Sequence, residues 1–151
     1  MKEEEGFAKG KFHLLLIQIL KKHKSLVEQV FQEKDLTYGQ PKILHFLANN
    51  DGCIQKELAK NCHIKPATVT NLLHLMEKSG LIERKKSPTD KRVLNVYLTD
   101  KGRAAYEESK KVFEEMETVC FEGFTKEEMT AFVDYCKRIE NNLKRKEEEN
   151  D

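Results

Sequence analysis

At 151 residues, with 38% apolar and 35% charged residues, the chain suits one domain with a substantial core and a polar, helix-rich surface. A net charge of +1 excludes a uniformly basic nucleic-acid coat, and four cysteines with neither a C-x-x-C nor a secretory context argue against a disulfide framework. The charge is unevenly placed: Cys53 to Arg103 carries eleven basic against five acidic residues, a net of +6, while the rest of the chain sums to −5.

From Phe12, apolar residues recur at Leu16, Ile19, Leu20, Val27, Val30 and Phe31, a helical period that predicts a long first helix ending near Asp35. The run "FHLLLIQIL" follows "EEE", leads to no small-residue cleavage site and is too short to cross a bilayer. The chain is therefore read as cytoplasmic, with no membrane partner. In "LTYGQ", Thr37 and Gln40 have capping-box spacing and predict a second helix with Ile43, Leu44 and Leu47 inward, stopped by "NNDG".

Two short helices joined at "NCHI" follow, the second with Pro66 at its first position and ended by Gly80. Ala59 supplies the small residue a helix-turn-helix needs at its crossing, and Leu58, Cys62, Ile64, Val69 and Leu72 fill the locking positions; His63 stands where glycine is common. An ordinary antiparallel helix pair would share this seam. "LIERKK" and "VLNVYL" read as strands around the Ser87 to Arg92 turn, which turns the motif into a winged helix. Thr99 caps a long helix to about Phe121 with Val112, Phe113, Met116, Val119 and Cys120 on one side. Thr125 and Glu128 form a capping box for a last helix bearing Phe132, Val133, Cys136, Ile139 and Leu143, and "KRKEEEND" reads as a frayed tail.

The expected fold is mainly α with a small β-hairpin wing. Residues 36–100 form a winged helix-turn-helix lobe, and 7–35 with 101–146 form a helical dimerisation region. At 100° per residue, Val69, Leu72, Leu73 and Met76 share the buried face of the Pro66 to Ser79 helix, opposite Ala67, Asn71 and His74, with Thr68 and Thr70 flanking. The N-terminal part of such a helix enters the major groove, so Ala67, Thr68, Thr70 and Asn71 are candidate base readers; Asn71 suits adenine, and Ala67 or a threonine methyl suits the thymine methyl. Lys65, Lys85, Lys86 and Lys91 are candidate phosphate contacts.

The order "LTYGQ", helix-turn-helix, "MEKSGLIER", "DKR" and "YLTDKG" resembles the MarR family of bacterial transcription regulators over nearly the whole chain. That resemblance implies a homodimer on a near-palindromic operator in double-stranded DNA, most members being repressors released by a small ligand or by oxidation. It also implies an arginine, here Arg92, placed in the minor groove and braced by Asp90, and a small aromatic or phenolic effector for which His13, Tyr38 and Phe46 are candidate lining residues. Asn71 and Lys65 depart from the arginine and serine frequent at those places in the family. The reactive first-helix cysteine of the peroxide-sensing branch and the ligand histidines of the zinc-responsive branch have no counterpart.

Cys62, Cys120 and Cys136 fall on apolar stripes and read as small buried hydrophobes, leaving Cys53 unexplained. The five histidines form no ligand-spaced cluster, and neither G-x-S-x-G nor a phosphate loop occurs, so no enzyme, metal or cofactor is implied. Two other readings of the fold stay open: a winged helix that binds protein, and a nonspecific architectural DNA binder.

Overall fold

The computed structural model describes residues 2–149 apart from Tyr38, with side chains from Gly10 onward. Its elements run α1 (Lys2–Glu33), α2 (Gln40–Asn49), β1 (Cys53–Ile54), α3 (Gln55–Asn61), α4 (Pro66–Lys78), β2 (Ile82–Lys86), β3 (Leu94–Leu98), α5 (Asp100–Cys120) and α6 (Lys126–Glu148). The chain divides into two compact units, residues 1–114 and 115–151. No helix among the described residues is long and apolar enough to cross a membrane.

The core of the first unit is built from the predicted faces. Val27 and Phe31 of α1, Ile43, Leu44 and Leu47 of α2, Leu58 of α3, Val69, Leu73 and Met76 of α4, and Val96 of β3 are all fully buried. Phe31 also receives Phe113 of α5 edge-on, ring centroids 5.5 Å apart. Three antiparallel strands lie in the order β1-β3-β2, with Arg84 and Cys53 both opposite Val96. The two-residue β1 is too short to leave an alternation in the sequence. It is made by Gly52, whose φ of +82° turns the chain out of the α2 loop and whose N–H donates to Val96 O at 2.8 Å.

Helix boundaries follow cap chemistry, with two corrections. Thr99 caps α5 as expected, its Oγ1 accepting Gly102 N–H at 3.0 Å, and the Thr125–Glu128 box opens α6 with bonds of 2.8 and 3.2 Å. Thr37 is not an N-cap. It opens a turn closed by Gln40 N–H to Thr37 O at 3.0 Å, and α2 begins at Gln40, with Pro41 in the first turn where a missing N–H costs nothing. One half of the anticipated box survives, because Gln40 Oε1 accepts Thr37 N–H at 3.1 Å. The charged tail is helical through Glu148 rather than frayed, with Lys144 paired to Glu140 across one turn.

In the second unit the last turn of α5 and α6 meet through Phe121, packed edge-on against Phe124 and Phe132. The expected α6 stripe is not buried within the chain: Phe132, Val133, Ile139 and Leu143 are exposed, and no residue of α6 is buried. The same holds for α1, where Phe12, Leu16, Ile19 and Leu20 are exposed and only the stripe's end reaches the core.

Candidate nucleic-acid interface

The α3–α4 turn is closed by backbone hydrogen bonds. Ile64 N–H donates to Ala59 O at 3.1 Å and His63 N–H to Lys60 O, the paired bonds of a Schellman motif, with His63 in the left-handed position at φ +51°. Glycine's usual place is thus taken by a residue that pays the left-handed cost, roughly 1 kcal/mol. Lys65 is extended at ψ 139°, as a residue before proline must be, and gives α4 no side-chain cap. The far end of α4 repeats the motif at Gly80, φ +76°, with Leu81 N–H to Met76 O at 2.9 Å.

Between those stops α4 turns Val69, Leu73 and Met76 inward, leaves Leu72 half-buried, and exposes Ala67, Thr68, Thr70, Asn71 and His74. The exposed face is the one the 100° spacing assigns. Thr70 differs from its neighbours, since its hydroxyl donates to Pro66 O at 3.0 Å and accepts from Gln55 Nε2 of α3 at 2.6 Å.

The hairpin tip is closed by Ser87 N–H to Val93 O and Val93 N–H to Asp90 O, at 2.9 and 3.0 Å. Within it Asp90 grips Arg92: Oδ1 accepts the Arg92 backbone N–H at 3.0 Å and Nε–H at 3.1 Å, and Oδ2 accepts from Nη2 at 3.2 Å. These bonds hold the Asp90 carboxyl below the usual carboxylate range. The Arg92 side chain is nevertheless 90% exposed, so the guanidinium is oriented through Nε and Nη2 and still open to a partner. Lys86 and Lys91 are exposed on either side of the tip.

Lys85 is engaged elsewhere. Its ammonium pairs with Glu83 at 2.7 Å and lies 5.4 Å from the Tyr97 ring centroid, on the strand face opposite Arg84. The Glu83 hydrogen bond raises its pKa.

Two residues outside the sequence-based site shape this surface. Arg84 points from β2 to α4 and forks onto Glu77 Oε2 through Nε at 3.2 Å and Nη2 at 2.5 Å, tying the hairpin to α4. That hydrogen bond lowers the Glu77 pKa and raises that of Arg84. The strand alternation of "LIERKK" already separates Arg84 from Glu83 and Lys85, which is the signal that finds it. Gln55, the other, carries no such signal, because its partner Thr70 lies fifteen residues away.

The thiols separate by burial. Cys62 is in the core as expected, whereas Cys120 and Cys136 are exposed, because the stripes they occupy are not covered within the chain. Burial first and the Glu57 charge second push the Cys53 pKa up to about 11, so this thiol stays protonated and poorly nucleophilic near neutrality. Of the candidate effector residues, Tyr38 lies outside the described residues. His13 is exposed on α1, and Phe46 lines a polar hollow of about 400 Å³ with Asp51, Cys53 and Glu57. Two carboxylates make this hollow a poor host for an aromatic anion.

A helix-turn-helix with an exposed second helix, followed at once by a braced basic hairpin, defines a winged helix-turn-helix protein. The MarR family model matches residues 36–94. The HTH-type transcriptional regulator YdgJ of Bacillus subtilis is 33% identical over 108 residues, covering 72% of this chain and 66% of that one, just under two thirds of its length. The HTH-type transcriptional repressor YetL, also of B. subtilis, is 31% identical over 122 residues, covering 80% of this chain and 73% of the repressor. Among solved structures, the S. aureus MepR–DNA complex superposes with a TM-score of 0.77 at 28% identity, covering 87% of this chain and 97% of that one. The chain belongs to the MarR family, whose matched members are transcriptional regulators.

Proposed function

We propose that the chain is a repressor that binds a near-palindromic operator as a homodimer and is released by a small aromatic or phenolic ligand. One observation carries the DNA reading: an exposed α4 face of Ala67, Thr68, Thr70 and Asn71 is followed at once in the chain by a hairpin, tied to α4 through Arg84 and Glu77, whose exposed Arg92 is already oriented by Asp90. The helix reads bases in the major groove, Arg92 enters the adjacent minor groove, and Lys65, Lys86 and Lys91 meet phosphates, positioning without specifying. Lys85 joins them once it leaves Glu83. His74, farther along the same face, borders the contact. A second hollow, of about 310 Å³ and walled by Leu36, Leu81 and Ala104, also carries Asp35 and Glu108, with Lys34 already paired to Glu108 at 2.9 Å and Lys101 donating to Ser79 O, so it is no better a host for an aromatic anion.

The division of labour follows from exposure. Residues 36–100 form the DNA-binding lobe, and 7–35 with 101–146 supply the dimer contact, since the bare apolar residues of α1 and α6 form surfaces too apolar to remain in water. A twofold dimer matches a palindromic site. Light scattering at micromolar concentration should return twice the 17.6 kDa chain mass. Leu16→Glu or Ile139→Glu should weaken the dimer by roughly tenfold or more if that residue lies in the contact, because a buried unpaired carboxylate is costly. A monomer mass throughout would remove the dimer from the proposal.

Selection of bound fragments from a random DNA library tests the rest. The expected product is a twofold-symmetric site with half-sites about one helical turn apart. Asn71→Ala should then lose preference at one base pair per half-site, costing about 1–3 kcal/mol there, with little change on bulk DNA. Binding without sequence preference would favour the architectural reading, and no DNA binding would favour a protein partner. Challenging the selected complex with aromatic acids tests release.

A further inference from the structure

We infer that Gln55 is a positioning residue for base readout: it fixes the hydroxyl of Thr70, so that Thr70 reads its base pair by its methyl group and a single remaining lone pair. The inference rests on the proposal that α4 reads DNA and names a residue outside α4 that sets what one reader can do.

A threonine hydroxyl has one hydrogen to give and two lone pairs to receive with. In Thr70 the hydrogen goes to Pro66 O, one turn back, at 3.0 Å. One lone pair receives Gln55 Nε2 at 2.6 Å. The hydroxyl is therefore not a rotor able to donate or accept as the base demands, which is how an exposed threonine meets either kind of base edge. It can still accept, as from an amino group of adenine or cytosine, but it has no proton left for a guanine or thymine oxygen. The methyl remains for thymine. Held this way, Thr70 discriminates against base edges that need a donor.

Gln55 is itself held in place. It is the first residue of α3, directly after β1, where Ile54 pairs with Asn95 of β3. Glu57 Oε2 accepts Ile54 N–H at 2.9 Å, closing the backbone at this point. The sheet thus fixes where the Gln55 side chain starts, and Thr70, exposed on α4, is where it ends. Gln55 is half-buried and uncharged, so it contributes to readout without a counterion-releasing phosphate contact.

The test is a double-mutant cycle on the site selected by the wild type and on variants of that site changed one base pair at a time. Thr70→Val keeps the branched shape and removes the hydroxyl; Gln55→Met keeps the side-chain length and removes its donor, with Gln55→Ala as a second variant should Met pack badly. Both single variants should shift preference at the same base pair, Gln55→Met by roughly three- to tenfold, the range of one net hydrogen bond. In the Thr70→Val background Gln55→Met should have no further effect, and the salt slope should stay at the wild-type value throughout. If Thr70→Val moves preference and neither Gln55 variant does, the inference fails while the α4 reading stands. It also fails if Gln55→Met weakens selected and scrambled DNA alike, which would make Gln55 a backbone contact, or if the two changes are additive. A wild type that selects no site overturns the inference together with the reading beneath it.

Discussion

Arg92→Ala should weaken binding to the selected site by roughly tenfold or more, while the dimer and the melting temperature, within about 2 °C, stay as they are. The two halves of that expectation have separate physical sources. Stability is insulated because the side chain is 90% exposed at the end of a hairpin and no core residue leans on it. Binding is exposed because the guanidinium is already oriented: Asp90 holds Nε and the inner Nη2 hydrogen, so little rotamer entropy remains to be lost on entering a groove. A narrow A·T-rich minor groove concentrates negative potential, so the loss should be greater on sites with A·T flanks than with G·C flanks. The salt slope should fall by about one unit as one cation contact disappears. Asp90→Ala should reproduce part of the affinity loss with the slope intact, since it frees the turn and keeps the cation. Wild-type affinity of Arg92→Ala at two salt concentrations would take the wing off the DNA and shift weight to a protein partner.

The Asp90 pairing also bears on pH. Its carboxyl is held below its ordinary pKa by Arg92, so the brace is complete above the ordinary Asp pKa and is lost only as pH falls through the lowered folded value. Across the neutral range the wing stays oriented.

How far the site was legible in the sequence depended on the range of the interactions. The exposed face of α4 followed from helical spacing, because which residues share a face is a local property of 3.6-residue geometry. The Asp90–Arg92 brace is two residues long and equally local. Thr37 failed as a cap because the capping pattern does not encode the intervening turn that delays α2 to Gln40. Arg84 and Glu77, seven residues apart across a Schellman turn, were half legible through strand alternation, while Gln55 and Thr70 met only through the tertiary packing of α3 on α4. Exposure of Cys120 and Cys136 was hidden for a different reason: periodicity identifies an apolar face without identifying what covers it, and the α1 and α6 stripes, assigned from the sequence to a partner subunit, are bare within the chain.

Gly102→Ala should destabilise the chain by about 3 kcal/mol or more, at the upper end of overpacking. Glycine in the first turn of a helix costs up to about 1 kcal/mol relative to alanine, so its presence in "LTDKG" needs a reason of packing. The structure supplies it. Gly102 is buried, and a Cβ there would clash with the carbonyl oxygen of Leu81, with Leu81 C at 3.0 Å and Leu98 Cδ2 at 3.1 Å. The obstacle is backbone at the α4–β2 junction and cannot swing aside as a side chain would. That oxygen also accepts Thr99 N–H at 3.2 Å, while Thr99 Oγ1 donates to Gly80 O at 2.6 Å and Lys101 Nζ to Ser79 O at 2.7 Å. The start of α5 is therefore stapled to the end of α4, and an added methyl can be housed only by prising the two apart. If Gly102→Ala folds at all, α4, the helix proposed to read DNA, should be displaced relative to α5, and operator affinity should fall by more than the stability loss explains. Gly10→Ala is the matched control: it sits within α1 with nothing within 4 Å of its Cβ, and should be neutral or slightly stabilising. Equal melting temperatures for Gly102→Ala and wild type would show that α5 does not pack on Leu81 this closely, and the staple between α5 and α4 would have to be abandoned.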